Sequence, residues 1–182
     1  MEKLTTKVVI PCRLSYAHIW EPDTDDKKYS TALLIPKDDV KTVKRIKEAV
    51  ANAILEGKTK LANKAGKVPS TLKTPLRDAD EEGLDDEAYV GHYFLNATSK
   101  RKPQIVDRRK VRIEEEDEVY SGCYCNVSVN FYAFDKEGNK GIAAGLNNIQ
   151  KVKDGERLSG GSTADQDFDD LGDDEENTIF DD

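Results

Sequence analysis

The segment from Gly122 to Phe134 constrains the fold more than any other part of the chain. Along its thirteen positions, apolar residues alternate with polar or aromatic ones. Successive side chains of a β-strand point to opposite faces of the sheet, so this alternation is typical of a long strand with one buried face. The set expected to be buried is Cys123, Cys125, Val127, Val129, Phe131 and Ala133, and the other is Tyr124, Asn126, Ser128, Asn130, Tyr132 and Phe134.

Other segments predict further strands and one substantial helix. Apolar residues at helical spacing between Val40 and Ile54 predict the helix, with Asp38 or Asp39 as its N-cap and Gly57 after its last turn. The long stretch 56–88 has a basic first half and an acidic second half, which favours a loop or an insertion. Strands are predicted over residues 4–12, 14–20, 29–35, 92–99, 104–106 and 141–150. This pattern predicts a mainly β protein, a small β-barrel for which the OB-fold is the leading candidate.

The last 24 residues differ in composition from the rest of the chain. Residues 159–182 hold ten of the 36 acidic residues and none of the 28 basic ones, so residues 1–158 carry 28 basic residues against 26 acidic ones. Such a composition favours disorder. We therefore expect one barrel domain over 1–158 and a disordered acidic tail over 159–182. Such a tail can compete with a nucleic acid for a basic groove and dock partner proteins through its apolar residues, and a solubilising appendage is the alternative.

Several classes of function are disfavoured by what the chain lacks. No apolar run approaches the roughly 20 residues that span a bilayer, and the N-terminus lacks the apolar core of a signal peptide, so a cytoplasmic protein is expected. His18 and His92 are isolated in sequence, and no phosphate-binding loop or nucleophile motif is present. Acidic clusters at 78–87 and 114–118 fall in predicted loops. We therefore expect no enzymatic activity, no cofactor and no catalytic residue.

The three cysteines are Cys12, Cys123 and Cys125. An odd number in a chain without a signal peptide favours free thiols. The C-x-C pair within an apolar strand does not have the usual spacing of zinc ligands. Because alternate residues of a strand share a face, these thiols are expected to pack together as small hydrophobic groups, with no metal bound.

Basic residues interleaved with aromatic ones point to a nucleic acid as ligand. Seven cations occur in the thirteen residues 100–112. A solvated surface hairpin would explain such a run, but aromatic residues flank it on both sides. Proteins that bind single strands without sequence preference combine a positive groove with rings on which bases stack. Trp20, Tyr16 and Tyr29 are alternative stacking residues. The predicted binding residues are Tyr93, Phe94, Lys100, Arg101, Lys102, Arg108, Arg109, Lys110, Arg112, Tyr124 and Tyr132.

Four segments carry a resemblance to a known family. They are residues 31–39 (TALLIPKDD), 72–83 (LKTPLRDADEEG), 91–107 (GHYFLNATSKRKPQIVD) and 118–158, which contains the long strand, the hairpin and the Gly-Leu-Asn-Asn sequence after it. In these segments the chain resembles a family of phage and prophage proteins linked to single-stranded DNA binding. The resemblance implies an OB-fold that binds single-stranded DNA during phage replication or recombination.

The tail is similar to those of bacterial and phage single-stranded DNA-binding proteins, which end in acidic residues around a terminal Phe. Here Asp181 and Asp182 follow the Phe, which favours a phage-encoded partner, or competition of the tail for the DNA groove, over docking on host repair proteins. The predicted partner-binding residues of the tail are Phe168, Asp173, Asp174, Glu175, Glu176, Ile179 and Phe180.

The leading hypothesis is a non-enzymatic protein of the bacterial host cytoplasm that coats single-stranded DNA and recruits phage replication or recombination proteins through its tail. It is compatible with a homo-oligomer. The alternative is a protein-interaction module, or a recombination accessory protein, whose acidic surface mimics nucleic acid. These hypotheses differ in where the negative charge lies, because a mimic needs acidic residues across the folded body.

Overall fold

The computed structural model describes residues 4–158 and 168–173. Within these ranges the regular elements are seven strands, two helices and one 3-10 turn over Glu116–Glu118. The strands are β1 (Lys7–His18), β2 (Tyr29–Pro36), β3 (Arg77–Asp78), β4 (His92–Ser99), β5 (Gln104–Val106), β6 (Tyr124–Lys136) and β7 (Asn139–Lys153), and the helices are α1 (Val40–Glu56) and α2 (Lys58–Leu61).

Five of the strands close into a barrel. In the sheet β4 pairs with β2, β2 with β1, β1 with β6 and β6 with β7. A parallel pairing of β7 with β4, through Ala97–Ala144 and Thr98–Gly145, closes the ring. The short strands β3 and β5 extend the sheet at β4 and β7. A five-stranded closed barrel with this connectivity is an OB-fold, which confirms the predicted fold class.

The core follows the alternation of β6. Its residues Cys125, Val127, Val129 and Phe131 are buried, as the sequence predicted. The apolar stripe of α1 packs on β1 and β6 and covers one side of this core. The side chain of Asp39 accepts a hydrogen bond from the Thr42 amide, so it is the N-cap.

The prediction of separate strands over 4–12 and 14–20 was wrong, because β1 is continuous over most of this range. The polar Arg13 interrupts the apolar pattern, but its side chain lies on the outside of the barrel, where it donates to the carbonyls of Gly122 and Glu156. A register shift between Ser15 and His18, with Tyr16 at φ 46°, bends the strand after this point.

The segment 56–88 has little regular structure, as predicted, but it is attached to the barrel. Residues 77–91, here called the acidic cover, include its second part and lie on the outer face of β2 and β4. Ala79 and Tyr89 bury Leu34 and Phe94 there. Lys37 pairs with Asp78 at 2.6 Å and with Asp80 at 2.9 Å, outside this cluster. None of the helices within the described ranges is long and apolar enough to cross a membrane.

Candidate nucleic-acid interface

The outer face of β1, β6 and β7 is polar and carries no acidic side chain between Tyr124 and Tyr132. The strand register places Val9 beside Ser128 and Ser128 beside Asn148, so the polar set of β6 continues onto its neighbours. We call this surface the amide face. Besides the two tyrosines it comprises Lys7, Val9, Pro11, Asn126, Ser128, Asn130, Asn148 and Gln150.

Hydrogen bonds fix the orientation of its amide groups. The Oδ1 atom of Asn130 accepts a bond from Thr6 Oγ1 at 3.0 Å, and Oδ1 of Asn148 accepts from the Gln104 amide at 3.2 Å. Among the bonds of the described residues, neither Nδ2 group has a protein acceptor. Their N–H groups are therefore available to the oxygens of a phosphate or a base.

Tyr124 lies at one end of the amide face, between two cations. The guanidinium carbon of Arg13 is 5.5 Å from the ring centroid, and Nζ of Lys153 is 4.8 Å from it. The ring is half-buried, because the backbone at Gly155 approaches it closely. This end therefore combines an aromatic ring with two positive charges, which suits a base and its phosphate.

Tyr132 lies at the other end and is 45% exposed. A Cβ atom at Gly145 would be 3.5 Å from its ring carbon Cε1, so the ring lies over the glycine. The glycine is paired on its other side with Thr98 of β4. One side of the ring is thus supported by backbone, and the rest is accessible for stacking.

A basic hairpin, residues 105–113, borders the amide face on the β7 side. Asp107 organises its turn, because Oδ1 accepts bonds from the amides of Arg109 at 2.8 Å and of Val111 at 2.9 Å. Lys110 adopts φ 68° at the tip. The strand β5 anchors the hairpin to β7. The one acid of the basic run is therefore used inside the turn, and Arg108, Arg109 and Lys110 are left exposed.

The other predicted cations form a separate group at the start of β5. Lys100, Arg101 and Lys102 are exposed in the connection from β4. Nζ of Lys102 is 5.5 Å from the ring centroid of Trp20, and Arg112 lines the same small cavity. The structure therefore divides the predicted basic run between the hairpin tip and the neighbourhood of Trp20.

Tyr93 and Phe94 lie away from the amide face. Phe94 is 5% exposed, beneath the acidic cover, with its ring 5.3 Å from that of Tyr89 and the Arg77 guanidinium over it. Tyr93 packs against the core, and Lys37 lies over its ring. Sequence alternation could not reveal the burial of Phe94, because a distant segment covers the outer side of β4. Tyr93 lies on the core-facing side of the strand, with Leu95 and Ala97. We leave both rings out of the interface.

Asn148 and Gln150 are polar residues of the face that the sequence interpretation missed. Gln150 accepts a hydrogen bond from Asn126 at 3.1 Å and donates to the carbonyl of Asp107, so it joins β6 to the basic hairpin. The signal was present in the Asn-Asn-Ile-Gln sequence at 147–150. These residues can be assigned to the amide face only when the register of β7 on β6 is known.

Little of the predicted tail site can be placed. Phe168 and Asp173 belong to the described stretch 168–173, where Phe168 is exposed. The other predicted tail residues, Asp174, Glu175, Glu176, Ile179 and Phe180, lie outside the described residues.

The three cysteines are free and buried, as the sequence predicted. The Sγ atoms of Cys123 and Cys125 are 3.5 Å apart. Burial raises the pKa of Cys12, and the hydrogen bond that Cys125 donates to Cys123, together with burial, raises that of Cys125, so both thiols stay protonated at neutral pH. No group of three or more potential metal ligands occurs within residues 4–158 and 168–173.

Comparison with known proteins places the chain among phage proteins. A family model described as the ssDNA-binding protein of Enterobacter phage Enc34 matches residues 3–179. The chain belongs to this family. A curated relative, putative protein p50 of Acyrthosiphon pisum secondary endosymbiont phage 1, is 33% identical over 171 residues, which cover 87% of this chain and 90% of the relative.

Solved structures of phage single-stranded DNA-binding proteins share the fold. The Enc34 protein with a C-terminal truncation superposes with a TM-score of 0.67 at 27% identity, over 84% of this chain and 87% of that one. The same Enc34 protein in complex with ssDNA gives 0.67 at 26% identity, over 84% and 88%. The single-stranded DNA-binding protein gp2.5 of bacteriophage T7 gives 0.54 at 17% identity, over 84% and 94%, and supports the fold alone.

Proposed function

We propose that the chain binds single-stranded DNA without sequence preference, along the amide face, with no enzymatic activity. The observation that carries the proposal is a surface without acidic side chains, which has a tyrosine at each end and the basic hairpin on one side. Bases stack on such rings, and exposed cations and amide donors pair with phosphates. The solved Enc34 complex with ssDNA, in the same family, supports this ligand.

The chain would act on DNA strands exposed during phage replication or recombination, in the cytoplasm of the bacterial host. Its acidic tail would compete with DNA for the basic residues and would recruit phage proteins. Two features support the competition. The tail holds ten carboxylates and no cation, and it follows Glu156, whose carbonyl accepts a hydrogen bond from Arg13 beside Tyr124, at one end of the amide face.

The test is fluorescence anisotropy of a labelled oligo-dT over a range of salt concentrations. We expect binding that weakens steeply as salt rises, because each phosphate contact contributes roughly 0.7 to the slope of log K against log salt for single strands. Substitution of Arg109→Gln with Lys110→Asn, at the hairpin tip, is expected to lower the slope by about 1.4. Asn tolerates the positive φ of residue 110.

A chain that ends at Leu158 is expected to bind the oligonucleotide more tightly than the full chain at low salt. If neither chain binds at low salt, the proposal is wrong, and a protein partner for the acidic surface becomes the alternative. Equal affinities of the two chains would contradict the competition by the tail and would leave the DNA-binding role intact.

A further inference from the structure

A second basic region lies outside the predicted one. Residues 58–73, here called the lysine segment, contain five lysines and no acidic residue. All five side chains are exposed. Among the described residues, none of them pairs with a carboxylate within 4.0 Å. The segment therefore presents unneutralised positive charge at the surface. Its lysines are Lys58, Lys60, Lys64, Lys67 and Lys73.

The lysine segment is held against β6 and β7. Its start is close to β6, because a Cβ at Gly57 would overlap that of Ala133. Leu61 of α2 is fully buried in the core. Nζ of Lys140, on β7, donates to the carbonyl of Ala62 at 2.6 Å. These contacts fix the first part of the segment beside the strand that carries Tyr132.

The second part is also ordered by the backbone. Oδ1 of Asn63 accepts bonds from the amides of Ala65 and Lys67, which closes a turn that bears Lys64. Further on, the Lys73 amide donates to the Lys140 carbonyl, and its own carbonyl accepts from Ile142. The segment is therefore a built surface of the barrel and not a solvated excursion.

A groove joins this segment to the amide face. It has a volume of about 860 Å³ and runs between α2 and the β6–β7 hairpin. Its lining includes Lys60, Thr59, Asn130 and Tyr132, together with the carboxylate side chains of Glu56 and Asp135. Asn130 and Tyr132 also form the end of the amide face. A strand that leaves this face past Tyr132 therefore enters the groove directly.

We propose that the lysine segment binds the phosphates of the single strand after it passes Tyr132, so that the DNA path continues into this groove. The inference rests on the proposed function and extends its site. An aromatic ring, an amide donor and a free lysine in one groove match the base and phosphate of a nucleotide. Carboxylates of the acidic tail would pair with the lysines alone, and such pairing gives no role to the ring or the amide donor.

The test compares two full-length variants of equal charge. Lys60→Gln with Lys64→Gln changes the lysine segment. Lys41→Gln with Lys44→Gln is the control. These exposed lysines lie in the first half of α1, a helix of 17 residues that is about 25 Å long, whereas the groove lies at the opposite end of this helix. Both variants are titrated with oligo-dT of increasing length over a salt series.

With long oligonucleotides, the segment variant is expected to show a salt slope lower by about 1.4 than that of the control, which is two phosphate contacts at roughly 0.7 each. With the shortest oligonucleotides that bind, the two variants are expected to agree, because these fill the amide face alone. The affinity of the segment variant should therefore reach its maximum at a shorter oligonucleotide length than the affinity of the control.

Equal slopes at every length would overturn the inference. A loss that is the same for short and long oligonucleotides would also overturn it, since it would indicate a general charge effect. Failure of the unsubstituted chain to bind any of them would overturn the proposed function instead, so the two failures are distinguishable.

Discussion

At the scale of single residues, the surroundings of each ring decide which aromatic side chain can contact a base. Tyr132 is 45% exposed over Gly145, while Phe94 is 5% exposed between Tyr89 and Arg77. Both are aromatic residues in predicted strands, and the sequence around each does not show which ring a distant segment covers. The difference arises from the acidic cover, which lies on β4 and is remote from β6.

Replacement of Tyr132 by Leu is expected to weaken binding of oligo-dT by about 1–3 kcal/mol, the value of one base stacked on a ring. The thermal midpoint should change little, because the ring is half-exposed. Anisotropy and thermal unfolding measure the two effects. The matched control is Phe94→Leu, which should lower the thermal midpoint through lost burial and leave affinity unchanged. The reverse pattern would contradict the assignment of the two rings.

At the scale of elements, the local sequence pattern correctly predicted the long strand β6 and the helix α1. The alternation of β6 and the helical spacing of α1 were sufficient, because each element buries one face against the core. The bend in β1 and the acidic cover were not predictable in this way. Arg13 interrupts the pattern of its strand and is satisfied by carbonyls more than 100 residues away. The sequence of the cover is typical of an acidic loop, and the packing of its few apolar residues against Leu34 and Phe94 is visible only in the structure.

The acidic cover is held by charges whose effect depends on pH. The hydrogen bond from Lys37 lowers the pKa of Asp78, and bonds from the Gly91 amide and then Lys37 lower that of Asp80. Stability from these carboxylates is present above their ordinary value of 3.8 and is lost as pH falls through the lowered values. The pKa of Lys37 is raised by the same bonds, so its contribution is lost at strongly alkaline pH.

Replacement of Lys37 by Met is therefore expected to lower the thermal midpoint at neutral pH. The difference from the unsubstituted chain should shrink as pH falls from about 3.8 through the lowered pKa values, where the carboxylates of the folded chain become protonated. Thermal unfolding over a pH series measures this difference, with Lys44→Met as control. A difference that persists undiminished in acid would show that the ion pairs do not hold the cover.

At the scale of the whole molecule, the acidic cover and the amide face lie on different surfaces of the barrel. The acidic cover has seven carboxylates and lies on β2 and β4, whereas the amide face on β1, β6 and β7 has none. Such a separation raises the potential of one surface and directs an anionic strand towards it. Composition predicted the basic body and the acidic tail. It could not predict which face of the barrel is free of acid, because that depends on strand register and on the cover.

Binding of DNA along the amide face is tested most directly by titration of the isotope-labelled chain with oligo-dT, followed by NMR of its amide groups. Contact along the amide face is expected to shift the side-chain NH₂ signals of Asn126, Asn130, Asn148 and Gln150, together with the backbone signals of the basic hairpin. The side-chain signal of Asn96, which is exposed on β4, should stay unchanged. If Asn96 and the acidic cover shift while the amide face does not, the DNA binds the other side of the barrel and the account is wrong.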